Sequence, residues 1–383
     1  MIYIVIFVIC LYFACHYDLA YAGNYRENKK AKAAYVLIGV IFILFAGLRS
    51  EFIGGDTMNY YNDFFETPEY KDLDSSVFAT SRYQPLWVSY VALIKSLGGT
   101  FTVQLLVEAI FVNAVILRFF WNYTKVPFLC ALIFYISPNF IEFNTEIMRE
   151  AFSISLCLLA FEGYIKKKYI VAFILWLLAY NIHVSAMIGL FFPLFAMIKY
   201  NRNVLICAIV FCAFALGLFP MISEYSTEIQ MFMASISAKF VNLYDFYSSQ
   251  IGEERNTNYF ILLIGTKLVL PLLMICYLKK GSNNVFGFVL VYMIMHLLAS
   301  YTEAFYRFAN YEAIFFIILV AQFLYAFYHK TCDTPVIRIV FFVIALVVLL
   351  YIFQAPMLIE ELGQSNLRYE RYIPYKFFFE NPY

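Results

Sequence analysis

The sequence predicts an all-α polytopic membrane protein, and three observations carry the prediction. Of 383 residues, 63% are hydrophobic and only 14% are charged, which lies outside the range of soluble globular domains. Apolar runs recur at about 17 to 25 residues, the length a helix needs to cross a hydrocarbon core. The alternating segments of about ten residues that build a membrane barrel are absent. A single integral membrane domain over residues 1–383 is expected.

Taken in order, the apolar runs fall at about 2–20, 33–48, 101–120, 126–141, 148–165, 169–182, 184–198, 203–221, 258–278, 285–301, 309–328 and 336–353, so about twelve transmembrane helices are expected. The short pair flanking His183 reads as tilted or broken rather than as two full crossings. Residues 2–22 resemble a signal peptide, but the cluster Arg26, Lys29, Lys30 and Lys32 follows the apolar run instead of preceding it. That order predicts an uncleaved first helix with its N-terminus outside.

Lysine-rich loops set the remaining orientation. Lys166–Lys168, Lys199 with Arg202, Lys279 with Lys280, and Lys330 with Arg338 should join Arg26–Lys32 on the cytoplasmic side. They agree only if residues 85–97 do not cross, so that segment, which also carries Lys95, is read as a re-entrant or interfacial helix on the outer face. The outside then holds the long loops 49–84 and 222–257, the turns near 142–149, His183 and 302–308, and the tail 354–383. Within the second long loop, residues 227–241 have the apolar spacing of a helix lying on a membrane surface.

The net charge of +1 is spread over short loops rather than gathered in a patch, which excludes nucleic acid as a partner class. Cys10, Cys130, Cys157, Cys207, Cys212 and Cys276 fall in apolar runs without metal-ligand spacing, so free thiols packed as small hydrophobes are expected, with no metal and no cofactor.

Arginine dominates the outer edges, at Arg49, Arg82, Arg149, Arg255, Arg307, Arg368 and Arg371, whereas the inner loops use mostly lysine. A guanidinium binds planar oxyanions through two parallel hydrogen bonds and an ammonium does not. In 47-GLRSEFIGGDTMNYYNDFF-65, Arg49 ends a membrane helix, Gly54 and Gly55 permit a sharp turn, and Asp56 follows at once, with Tyr60 and Tyr61 offering faces for sugar rings. Asp63, Glu66, Glu69, Asp72 and Asp74 read as a solvated acidic loop. In 139-NFIEFNTEIMREAFS-153, the spacing of Glu142, Glu146, Arg149, Glu150 and Ser153 predicts one helix face lining a cavity. His183, with Asn181 and Ser185 nearby, has the titration range for proton transfer, although a lone membrane histidine also serves helix packing. Glu303, Arg307 and Asn310 form a further polar turn, and the intramembrane Glu108 and Lys267 should each meet a polar partner.

These motifs in this order, GLR then GGDTMNYYNDF, QPLW before LGG, FNTEIMRE, NIHVSAM and YRFANY, resemble the EpsG family of exopolysaccharide and O-antigen polymerases, Wzy-type membrane glycosyltransferases, over about residues 33–320. Gln84 and Glu150 depart from the family pattern, which often has Glu and Gln there. The resemblance implies a GT-C-like fold in a bacterial cytoplasmic membrane, with an extracytoplasmic site. It implies polyprenyl-diphosphate-linked oligosaccharide donor and acceptor, surrounding membrane lipids, and flippase and chain-length regulator proteins as partners. On this reading Asp56 is the expected base with His183 as its rival. Arg49, Arg149, Arg307 and Arg82 are the expected diphosphate ligands, with Tyr60, Glu146 and Glu150 completing the site. Rival classes are a transporter or flippase of lipid-linked sugars, an O-antigen-ligase-like enzyme and an acyltransferase. No convincing internal repeat of the transporter kind appears.

Overall fold

The computed structural model describes residues 2–20, 25, 27–224, 264–299, 304–330, 334–362 and 372–380. Secondary structure there is helical, apart from one isolated β-bridge between Arg49 and Phe377. The α-helices are α1 (Ile2–Phe13), α2 (Lys29–Gly47), α3 (Thr57–Glu66), α4 (Ser75–Thr80), α5 (Pro85–Ser96), α6 (Phe101–Tyr123), α7 (Pro127–Ile136), α8 (Pro138–Ile141), α9 (Met148–Ile165), α10 (Tyr169–Ile182), α11 (Phe192–Met197), α12 (Arg202–Glu224), α13 (Leu270–Leu278), α14 (Phe286–Leu298), α15 (Ala304–Lys330) and α16 (Pro335–Leu362). π-helical turns follow α1 and α8 and precede α13, and 3₁₀ turns cover Val184–Phe191 and Lys279–Ser282.

Five described helical runs, Ile2–Leu19, Lys29–Gly47, Phe101–Tyr123, Phe305–Lys330 and Pro335–Phe353, are long and apolar enough to cross a membrane, and the bent α7–α8 pair makes a sixth. The chain is a multi-pass membrane protein. α9 has 18 residues but carries Arg149, Glu150 and Glu162. α10, with 14 residues, spans about 21 Å, short of a core of about 30 Å. His183 explains the shortness: its backbone is extended (φ −147°, ψ 126°) and ends α10 before the 3₁₀ stretch. α5 has 12 residues and is too short to cross. The surface helix expected at 227–241 lies outside the described residues.

The chain divides into two compact units, residues 1–194 with 320–383, and residues 195–319. In the first unit α2 and α6 run antiparallel, since the Tyr35 hydroxyl donates to the Leu117 carbonyl at 3.0 Å while Gly47 lies against Leu106 near the start of α6. α9 runs parallel to α6, because Phe111 stacks on Phe152 in their first halves and Arg118 pairs with Glu162 near their far ends. α10 returns beside α9, with the Ser153 hydroxyl donating to the Ala179 carbonyl at 2.8 Å. One end of this bundle therefore gathers Lys29, Lys30, Lys125 and Lys166–Lys168, and the opposite end gathers Arg49, Arg149 and His183.

The break in the α7–α8 run has a local cause. Ser137 precedes Pro138, and the proline ring drives it to an extended backbone (φ −77°, ψ 152°), giving a bend of 80°. The chain then passes through the π turn Glu142–Glu146 and a non-helical Ile147 before α9 starts. This corrects the single-face reading of residues 142–153. Glu142 and Glu146 sit on the π turn, whereas Arg149, Glu150 and Ser153 sit on α9, and the break at Ile147 interrupts the helix between the two sets.

In the second unit, the Lys267 ammonium donates to the Tyr292 hydroxyl at 3.0 Å, the polar partner expected for an intramembrane lysine. The described cysteines carry free thiols. Cys10, Cys130, Cys157 and Cys212 are buried as expected, but Cys207 and Cys276 are exposed on helix surfaces, where an apolar solvent accepts a thiol without a packed neighbour.

Candidate functional site

The arginine end of the first unit is built on a turn that only glycine fits. Gly54 has φ +102°, and a Cβ there would lie 2.6 Å from the Thr145 Cβ. Beside it, the Thr57 hydroxyl bonds the Ile53 carbonyl at 2.6 Å and the Thr145 carbonyl at 2.9 Å. The GGDT motif is thereby fastened to the FNTE motif, and α3 is held at its N-terminus. At the other end of α3, the Lys95 ammonium donates to the carbonyls of Phe64, Phe65 and Thr67 at 3.1, 2.9 and 2.5 Å. These carbonyls lack helical partners, and a cation there also meets the negative end of the helix. Replacing Gly54 with alanine is expected to cost more than about 1 kcal/mol, because strain at positive φ adds to the overlap with Thr145; a lowered thermal midpoint in detergent checks this.

Held between these anchors, α3 presents Asp56, Tyr60 and Asp63 at i, i+4 and i+7 on one face. Tyr60 is buried and stacks on Tyr83 with ring centroids 6.2 Å apart, and its edge meets Trp87 at 6.1 Å. The Arg149 guanidinium lies 4.4 Å from the centre of the Tyr83 ring and donates from Nη1 to Gln84 Oε1 at 2.9 Å. Arg82 donates from Nη2 to the Tyr83 hydroxyl at 2.6 Å. Gln84, the departure from the family pattern, thus serves as an uncharged acceptor and leaves the cationic charge of Arg149 in place.

Asp56 occupies the N-cap position of α3, is exposed, and accepts from Asn59 at 3.2 Å. Asp63 corrects the solvated-loop reading: it is half-buried and within Coulombic range of both Arg82 and Arg149. Burial outweighs the guanidiniums there and pushes its carboxyl up to about 6, with Glu66 adding to the rise. The spacing of Asp56, Tyr60 and Asp63 was the available signal for Asp63, masked by the acidic composition around it.

Arg49 occupies a different environment. It is 2% exposed, donates to the Ala46 carbonyl from Nη1, and reaches Met148 Sδ from Nη2 at 2.7 Å. Burial lowers its pKa to about 10, opposed by Glu108 and Tyr375, so it stays cationic at neutral pH. The adjoining cavity, lined by Arg49, Glu108, Asn144 and Met148 among others, measures about 10 Å³, room for a water molecule and not for a diphosphate. Glu108 accepts from Gln104 at 2.8 Å, and Asn113 donates to Asn144 at 2.7 Å, tying α6 to the π turn. The C-terminal segment covers this pair: Ser50 N–H donates to the Lys376 carbonyl and Phe378 N–H to the Leu48 carbonyl, each at 3.0 Å. In the same segment the Tyr372 hydroxyl donates to Glu146.

His183 is 7% exposed, with Nε2 3.9 Å from the buried Glu150 carboxylate and Nδ1 paired with the Ser185 hydroxyl. Glu150 itself is 1% exposed and turns inward, while its neighbour Arg149 turns to Tyr83 and Gln84. Arg307 lies half-buried in the first turn of α15 and belongs to the second unit. Glu303, Arg255, Arg368 and Arg371 lie outside the described residues. Among the described residues, no three His, Cys, Asp or Glu side chains come together to hold a metal ion.

The structure thus brings Arg82, Arg149, Tyr60, Tyr83, Gln84 and Asp63 into one cluster, with Asp56 at the start of the same helix and with His183 beside Glu150, the residue after Arg149. No curated protein and no solved structure matches the chain. The family model described as EpsG family matches residues 32–377. That range runs from the cationic start of α2 to the C-terminal segment paired over Arg49, so the matched region includes every element of the cluster. The chain belongs to the EpsG family.

Proposed function

We propose that the protein is a polysaccharide polymerase that joins polyprenyl-diphosphate-linked oligosaccharide repeat units at the outer face of the cytoplasmic membrane, by a GT-C-like glycosyltransferase mechanism. The observation that carries the reading is the gathering of guanidiniums and carboxylates at the bundle end opposite the lysines. Arg82 and Arg149 flank Tyr83, and the α3 face carrying Asp56 and Asp63 lies against them. By the positive-inside rule, the lysine end is cytoplasmic and the arginine end is not.

Chain growth of this kind requires a sugar hydroxyl of the acceptor to attack the anomeric carbon of the donor. The C–O bond to the lipid diphosphate breaks, and its electron pair leaves on the diphosphate. Fixed positive charge lowers the barrier by stabilising the charge that develops there. Arg149 and Arg82 supply it on this reading. A carboxylate on the α3 face takes the hydroxyl proton. Tyr60 supports the Tyr83 ring against which both guanidiniums rest. His183 and Glu150, buried together, hold the start of α9 and thereby Arg149, and Glu146 ties the C-terminal segment to the site. Arg49 acts through packing, as the buried charge around which α2, α6 and α9 close.

The test is incubation of the purified protein with lipid-linked repeat units isolated from membranes of the producing cells. A ladder of products spaced by one repeat is expected. A single joined product would favour a ligase, and movement of the units across vesicles without any joined product would favour a transporter.

A further inference from the structure

We propose that Asp63 is the general base of this reaction, its carboxylate receiving the acceptor hydroxyl proton; the inference rests on the polymerase reading above. As the new glycosidic C–O bond forms, the O–H bond breaks toward Asp63, and the anomeric C–O bond releases its electron pair to the departing diphosphate. The protonated Asp63 then returns its proton to water. No other reactant is needed.

Three features of its setting select Asp63 over the other carboxylates. First, α3 is fixed at both ends, by Gly54 and Thr57 against Thr145 and by Lys95 on its terminal carbonyls, so a side chain near its C-terminus has a defined position. Asp56 lies at the exposed N-cap and is engaged by Asn59. Second, Asp63 is half-buried one turn from Tyr60, whose ring stacks on the Tyr83 ring that carries the Arg82 and Arg149 guanidiniums, and it lies within Coulombic range of both arginines, of Tyr83 and of Glu66 on its own helix. Any diphosphate bound by those arginines is thereby near it, and Arg149 donates to the uncharged Gln84. Third, the competition between burial and the arginines leaves Asp63 titrating at about 6, so it is ionised at neutral pH yet basic enough to accept a proton, as efficient general bases are. Glu150 and His183 are buried 3.9 Å apart, with Ser185 on the imidazole.

The experiment measures polymerisation rate against pH for the full chain in detergent or vesicles, using lipid-linked repeat units from membranes of the producing cells. Wild type should show an acidic limb near 6, rising with pH as Asp63 ionises. D63N should lower the rate by about 10²–10⁴-fold without lowering the thermal midpoint, because a carboxyl whose pKa is raised by burial destabilises the folded state when ionised. D63E should keep part of the rate and retain an acidic limb. E66Q removes a like charge that raises the Asp63 pKa, so it should move the limb to lower pH with little change in the plateau. A D63N protein polymerising at the wild-type rate, or an E66Q limb that stays in place, overturns the assignment while leaving the polymerase reading intact. Wild-type protein that makes no polymer overturns that reading, and this inference with it. Should D63N fail to fold, the limbs of D63E and E66Q decide.

Discussion

Replacing Arg149 by alanine is expected to reduce polymerisation by at least about 10²–10³-fold, the loss seen when a donor aimed at developing negative charge is removed. Stability should change far less. Arg149 donates to Gln84 and rests on the Tyr83 ring, and a half-exposed contact of this kind contributes about 0.5–2 kcal/mol. R149K separates the two effects. It keeps the charge over Tyr83 but loses the planar fork that grips a diphosphate through paired hydrogen bonds. The fold should therefore survive in R149K and the rate should not recover. Rates of R149A, R149K and wild type, measured beside their unfolding midpoints, check the expectation.

The second large effect concerns stability. Arg49 and Glu108 are both buried, and Arg49 Nε and Glu108 Oε2 have no hydrogen-bond partner among the described residues. They line one small cavity without an ion-pair contact within 4 Å, so their mutual field offsets only part of the cost of burying them. Removing one leaves the other buried without that field, which costs up to about 3–5 kcal/mol. E108A and R49A are each expected to fall by that amount, and E108A more than E108Q, since glutamine keeps the polar contact with Gln104. The double variant R49M with E108L should recover most of the loss, because apolar groups of similar volume replace a buried ion pair at little cost. A double-mutant cycle on unfolding midpoints reads the coupling directly. Additive losses would show that the pair is not coupled and that Arg49 is held by Ala46 and Met148 alone.

These effects also show which parts of the molecule were legible in the sequence. Helix positions follow from the apolar runs, because in lipid every backbone group must be satisfied within its own segment. The loop accounting that kept residues 85–97 from crossing depended on the lysine-rich loops sharing one side, with Lys95 in support. In the structure Lys95 has a specific task, holding the carbonyls at the end of α3. The arginines were legible as a group, since they depart from the lysine-dominated loops. Their different tasks were not, because burial separates Arg49, which is enclosed by the C-terminal segment, from Arg149, which is open to the α3 face.

The misreadings share a physical origin in helix continuity. Periodicity placed Glu142 through Ser153 on one face, but Ser137–Pro138 bends the run and the π turn after it shifts the phase. No residue type announces a π turn from spacing alone. Asp63 reads otherwise for the opposite reason: its surroundings are acidic enough to read as solvated, while its register with Asp56 and Tyr60 brings it within Coulombic range of two arginines. The link between Arg49 and the chain terminus, through Ser50 and Phe378, joins residues more than 300 apart and has no local sequence signal.

The central claim is that the cluster around Arg149 transfers sugar from a lipid diphosphate. The most direct measurement counts polyprenyl diphosphate released per glycosidic linkage formed, in the wild type and in R149A. One carrier should be released for each linkage in the wild type, with both quantities falling together in R149A. Linkages formed without carrier release, or release that continues unchanged in R149A, would contradict it.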